Sequence, residues 1–199
     1  MGASSWAYFV PYQPNIHQAL SELRNAVFQS GNYYQREPYW RGMSFAEYAP
    51  PELGLSKQDQ RTARKAFDRL QQLQTPTTID ELLEWNGEEG THSILDVHIV
   101  VIEPALPPWK EFMREYYQEH GTLPPPRDTT ESMKRFGTVS PLTESQLLAV
   151  CGTTKPTRQQ VEQKQTQLEK LRERGEGLYI VVYANDNPTE IYFTGFSGD

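Results

Sequence analysis

GLYIVVYANDNPTEIYFTGF, residues 177–196, decides how this chain folds. Apolar, β-branched and aromatic residues fill both ends. Asn185, Asp186, Asn187 and Pro188 interrupt them with turn-forming chemistry, so the stretch predicts two antiparallel strands joined by a tight turn. On a strand, side chains alternate between faces. Tyr179, Val181 and Tyr183 therefore share one face of the first strand, and Glu190, Tyr192, Thr194 and Phe196 share one face of the second.

A hairpin needs further partners to be stable in water. WAYFVPY (6–12) supplies one, with Trp6, Tyr8, Val10 and Tyr12 on a common face. Pro11 near its end makes this strand short or an edge. EGTHSILDVHIVVIEP (89–104) is read as another strand. Its parity puts His92, Ile94, Asp96, His98, Val100 and Ile102 on one face and the apolar Ser93, Leu95, Val97, Ile99 and Val101 side on the other.

Helices separate these strands. Ile16, Ala19, Leu20, Leu23 and Val27 fall on one helical stripe that Gly31 stops. Ser56 with Asp59 has capping-box spacing and opens a helix over 57–73 carrying Ala63, Ala66, Phe67, Leu70 and Leu73. Thr78 with Glu81 opens a short helix ending near Gly87. Another helix is expected after Pro104, with Trp109, Phe112, Met113 and Tyr116 on one side. Thr143 with Gln146 caps a short one, and Thr157 with Gln160 opens the longest, 158–174, whose thin stripe (Val161, Leu168, Leu171) places it on the outside. Residues 32–55 read as an ordered loop that lays Tyr33, Tyr34, Tyr39 and Trp40 over apolar surface, and 121–142 as a Pro/Thr-rich irregular insertion. The sum is a single α+β domain, 1–199, with a mixed or antiparallel sheet of about four strands and helices mainly on one face.

Composition narrows the function. The chain has 199 residues, 37% hydrophobic and 12% aromatic, with a net charge of −7. That is too apolar for disorder, and no run approaches the ~18 residues that span a bilayer. The start lacks the charged and apolar regions of a secretory signal. Arg61, Arg64, Lys65 and Arg69 are read as the solvated face of their helix, so nucleic acid and membrane are not expected as partners. One cysteine, Cys151, excludes an internal disulfide framework and a cysteine-only zinc site. It reads as a packed thiol in a cytoplasmic protein.

Phosphate-loop, dinucleotide and HExxH motifs are absent, and GFSG at 195–198 lacks the second glycine and following helix of a nucleophile elbow. His17 lies beside its helical stripe, and His120 ends a helix where a cation is favoured. Asp96 and His98, about 6–7 Å apart along a strand face, are the catalytic candidates, with the imidazole as base and the carboxylate as its orienting partner. Glu190 would join them in a metal-assisted version, although no ligand set with metal-motif spacing is assigned and no cofactor is named. Tyr8, His92, Tyr179, Tyr192 and Glu190 are the ligand-binding candidates. If their strands align, they wall an aromatic hollow next to Asp96 and His98. The same polar residues would equally serve an interior strand through internal hydrogen bonds.

SSWAYFVPYQPNIHQALSELR, GTHSILD and GLYIVVY with PTEIYFTGFS together resemble a family of uncharacterised bacterial proteins. The resemblance implies no activity, substrate or cofactor. The expectation is therefore a module that binds a protein partner or small molecule through an aromatic, acidic surface. The alternative is a small hydrolase or transferase built on Asp96 and His98.

Overall fold

The computed structural model describes residues 4–37, 42–72, 75–102, 113–114, 117–119, 121–122 and 136–197. Five strands make one mixed sheet: β1 (Ser5–Pro11), β2 (Ile99–Val100), β3 (Thr138–Pro141), β4 (Glu176–Ala184) and β5 (Asn187–Phe196), in the order β1-β5-β4-β3-β2. β5 pairs antiparallel with β1 and β4, while β2, β3 and β4 run parallel. The expected hairpin is the centre of the molecule. Its turn is shorter than expected: Asn185 and Asp186 both sit left-handed, at φ 50° and 62°, as a two-residue type I′ turn demands. Asn187 and Pro188 already belong to β5.

The strand count of four falls short by β3, which lies inside the stretch read as an irregular insertion. Thr138, Val139 and Ser140 are all buried. A short interior strand covered on both faces shows no alternation for a sequence reading to find.

Helices cover both faces of the sheet, rather than mainly one. On the first face, α1 (Ile16–Ser30) buries Ala19, Leu20, Leu23 and Val27 against Trp6, Ile191, Phe193, Val139, Ile94 and Leu95. Asn15 caps its start and left-handed Gly31 its end. On the second face, Leu178, Ile180, Val182 and Tyr192 meet Leu142, Val161 and Leu168. α5 (Glu144–Cys151) and α6 (Arg158–Glu169) supply that layer, each opened by a capping box. The thin stripe of α6 suffices because Val161 and Leu168 are completely buried. α6 stops at Glu169, so residues 170–174 are not helical.

At the end of the β4–β5 pair, Gly177 faces Gly195, and the Trp6 indole lies over both. Two glycines opposite one another leave a flat patch of backbone that an aromatic ring can cover.

Outside the sheet, α2 (Phe45–Tyr48) packs on α3 (Lys57–Gln71), while α4 (Ile79–Asn86) buries Leu82 in the first core. Phe67 is the one buried side chain of α3, with the Phe45 and Tyr48 rings 5.7 and 5.2 Å away. Leu73, expected on that stripe, lies outside the described residues, as do Tyr39, Trp40, His120 and most of the helix expected after Pro104.

The Glu81 carboxylate accepts from the Thr77 backbone N–H (2.8 Å) and hydroxyl (2.9 Å). These bonds favour the charged form and hold its pKa below the usual carboxylate range. A lowered folded-state pKa stabilises above the unfolded value, and that contribution disappears as pH falls through the folded value. In an acid titration followed by NMR, the Thr77 amide is expected to lose its downfield shift below the pH at which free glutamate protonates. Glu81→Gln should shift that amide at neutral pH and abolish its acid transition.

Candidate functional site

Residues 86–98 form a loop held together from inside, not the extended strand that parity suggested. Asn86, the last residue of α4, is 0% exposed and uses its amide as a hub. Its Nδ2 donates to the carbonyls of Tyr34 (2.9 Å) and Gly90 (2.6 Å), and its Oδ1 accepts from the Arg36 N–H (3.0 Å). Gly87 (φ 56°, ψ −130°) and Gly90 (φ 64°, ψ −168°) turn the chain through conformations open essentially to glycine alone.

Beyond Gly90, side-chain bonds replace the strand. The Thr91 backbone N–H and hydroxyl both donate to Asp96 Oδ1, at 2.7 and 2.8 Å. Ser93 Oγ lies 2.9 Å from the Thr91 hydroxyl and accepts from the Leu95 N–H at 3.2 Å, capping a 3₁₀ turn over Ile94–Asp96. That turn buries Ile94, Leu95 and Val97 together, which strict alternation would forbid. Arg24 of α1 donates to the Leu95 carbonyl at 3.0 Å; burial pulls its pKa down against the opposing charges of Asp80 and Asp96. Ladder pairing begins only at Ile99.

This geometry separates the candidates. Asp96 Oδ1 is held by Thr91 and Oδ2 lies against Gly90, whereas the His98 ring lies against left-handed Gly137 on the β2–β3 side. His98 is exposed. Glu190 sits on the α6 side of the sheet, where its carboxylate meets Arg158 at 2.6 Å and the same guanidinium covers the Phe9 ring at 4.2 Å. Glu190 therefore does not join Asp96 and His98. Among the described residues no three His, Cys, Asp or Glu side chains converge on a possible metal position.

The tyrosines divide in the same way. Tyr8 and Tyr179 both pair with Phe193 and share its face; partial burial raises both hydroxyl pKa values. Tyr192 faces the other layer, and the expected alignment of all three fails by one strand's parity. Burial raises its pKa too, with the neighbouring Thr194 hydroxyl acting the other way.

Two candidates do meet. Tyr8 and His92 line a hollow of about 500 Å³ over β1, with Ser5, Asn32, Tyr33 and Tyr34 among its other walls. The His92 and Tyr34 rings stack, with centroids 4.5 Å apart and planes at 13°. Tyr34 is pinned by its N–H on the Thr91 carbonyl (2.8 Å) and its hydroxyl on Glu89 (2.9 Å). That carboxylate raises the hydroxyl pKa and lies 3.5 Å from Arg36. Tyr33 stacks on Phe28 at 5.7 Å. His92 itself is left-handed, at φ 55°.

Residue-by-residue reading missed Asn86 and the Tyr34–His92 stack. Their signals were the Asn-Gly dipeptide at 86–87 and the paired tyrosines at 33–34, but nothing local links them. No family model, curated protein or solved structure matches the chain. Among the described residues no helix is long and apolar enough to cross a membrane.

Proposed function

We propose that this chain is a binding module that takes a planar group, carried by a protein partner or a small molecule, into the hollow bounded by Tyr8, Tyr33, Tyr34 and His92. One observation carries the reading: His92 is a non-glycine residue kept left-handed at φ 55° while its half-exposed ring stacks on Tyr34 at the rim of a concavity. Such a backbone costs on the order of 1 kcal/mol and persists where surrounding structure over-determines it, as at ligand clamps and tight turns. The frame around it is over-determined, through Asn86, Thr91 and Asp96. Core packing does not account for the placement, because the ring is not buried.

The hydrolase or transferase reading needs Asp96 to orient His98, but the carboxylate lies between Thr91 and Gly90 while the imidazole lies against Gly137. A cytoplasmic location, with Cys151 as a buried thiol, accompanies the binding reading.

Indole and p-cresol stand in for planar side chains in the test. Titrated against the protein, they are expected to shift the aromatic resonances of Tyr8, Tyr34 and His92. His92→Gly should remove that response while changing unfolding free energy by less than about 1 kcal/mol, since glycine suits the left-handed backbone. Shifts confined to other residues, or a response that survives His92→Gly, would reject the site.

A further inference from the structure

Along α3, Lys57, Arg61, Lys65 and Arg69 recur every fourth residue, and all four are exposed. Cations at that spacing are neighbours on a helix surface and repel one another. Lys57 also places positive charge in the first turn, against the helix dipole. Among the described residues none of the four enters an ion pair. The two acids of α3 are occupied elsewhere: Asp59 takes the Ser56 hydroxyl at 2.6 Å and Asp68 the Arg64 guanidinium at 3.1 Å. Arg69 in the last turn complements the helix dipole, but the other three cations give the helix nothing in return for their mutual repulsion. A solvated helix face needs no such regularity, least of all in a chain of net charge −7.

The row spans about 18 Å and drifts around the helix by about 40° per step. At its end Arg69 reaches the wall of a second hollow, of about 810 Å³, between α3 and α4. Ala66, Leu70, Pro76 and Trp85 give that hollow apolar walls, and Glu81 and Glu84 line it from α4. The Trp85 indole is fixed by donating to the Arg36 carbonyl at 2.8 Å, and Glu81 in the same wall is held by Thr77.

We propose that α3 is the docking surface for an acidic segment of a partner protein, whose carboxylates follow Lys57, Arg61, Lys65 and Arg69 and whose apolar side chain enters the α3–α4 hollow. An aliphatic or aromatic side chain suits those walls, whereas a nucleic-acid backbone offers nothing to fill them. A long polyanion would also meet the acidic remainder of the surface, while a short segment within a Debye length, about 8–10 Å, meets chiefly the row. An anionic lipid bilayer would meet the cations alone, because Phe67, the buried apolar side chain of α3, lies beneath Phe45 and Tyr48. This surface shares no lining residue with the His92 hollow, so either proposal can fail without the other.

The test uses a fluorescein-labelled glutamate peptide of about 12 residues, enough for an 18 Å helix, with one central leucine. An all-glutamate peptide, an oligothymidylate of similar length and phosphatidylserine vesicles are compared with it. The leucine-bearing peptide should bind most tightly, and weaken several-fold as salt is raised through the physiological range. Replacing the four cations together (Lys57→Gln, Arg61→Gln, Lys65→Gln, Arg69→Gln) should weaken it by about tenfold or more at unchanged helical circular dichroism. Lys65→Glu alone, which gains Arg61 and Arg69 as helix partners, should weaken it in the same direction if the quadruple variant fails to fold. Equal binding of the all-glutamate peptide, tighter binding of oligothymidylate or vesicles, no binding of either peptide, or indifference to both sets of substitutions would each overturn the proposal.

Discussion

Gly195→Ala is expected to destabilise the protein by about 3 kcal/mol or more, at the upper end of what overpacking costs. The added methyl has nowhere to go. It would press on the Glu176 carbonyl oxygen and lie 2.6 Å from the Gly177 Cα and 2.7 Å from the Trp6 ring. Two of these obstacles are backbone of the paired strand β4, and moving them disturbs the register of the central hairpin. The third is an indole packed in the core, 4% exposed. Thermal unfolding should fall by roughly 10 °C, taking about 2–4 °C per kcal/mol for a chain of this size. Trp6→Leu combined with Gly195→Ala should recover only part of the loss, because the backbone contacts remain. A midpoint within about 2 °C of the parent would show that β4 and β5 can part at this end without cost.

Asn86→Leu should have a comparable effect by an unrelated mechanism. Leucine fits the volume but leaves the carbonyls of Tyr34 and Gly90 and the N–H of Arg36 without the partners Asn86 gives them. Each buried group stranded in this way costs about 1–3 kcal/mol, so a total near 3–5 kcal/mol is expected in denaturant unfolding. Asn86→Asp separates the contributions. It can still accept from Arg36 but turns an acceptor toward two carbonyls, and should be at least as damaging as leucine. Both variants should also lose the nuclear Overhauser contacts between Tyr34 and His92 before global unfolding, because the hub joins the 34–36 segment to the 87–92 loop. Retained contacts would mean that the loop holds its shape without Asn86.

What could be seen in the sequence is what local chemistry determines. The stripe Ala19, Leu20, Leu23 and Val27 is buried as its period requires, and Thr78, Thr143 and Thr157 cap the helices they introduce. Asn185 and Asp186 make the turn they announce. The failures have physical causes. In THSILD, Thr91, Ser93 and Asp96 offer backbone groups local partners that compete with a strand ladder, so a 3₁₀ turn forms where alternation suggests a strand. β3 is too short and too thoroughly buried to show a period. Asn86 sits in an Asn-Gly pair that looks like ordinary turn chemistry, yet its partners Tyr34 and Arg36 lie 52 and 50 residues away. Of the candidate residues, Tyr8 and His92 line one hollow. Tyr192 and Glu190 are lost to the opposite layer, because each strand's facing is set by register with its neighbours and not by its own sequence.

Placing β5 between β1 and β4 has a consequence for synthesis on the ribosome. Ser5 pairs with Phe196 and Pro11 with Glu190, so β1 finds its hydrogen-bonding neighbour only after β5, made much later, has emerged. Until then Trp6, Tyr8 and Val10 lack the ladder that fixes which way they point. Nascent chains stalled before residue 187 should therefore leave the N-terminal segment open to protease or chaperone, however well α1 has already coiled.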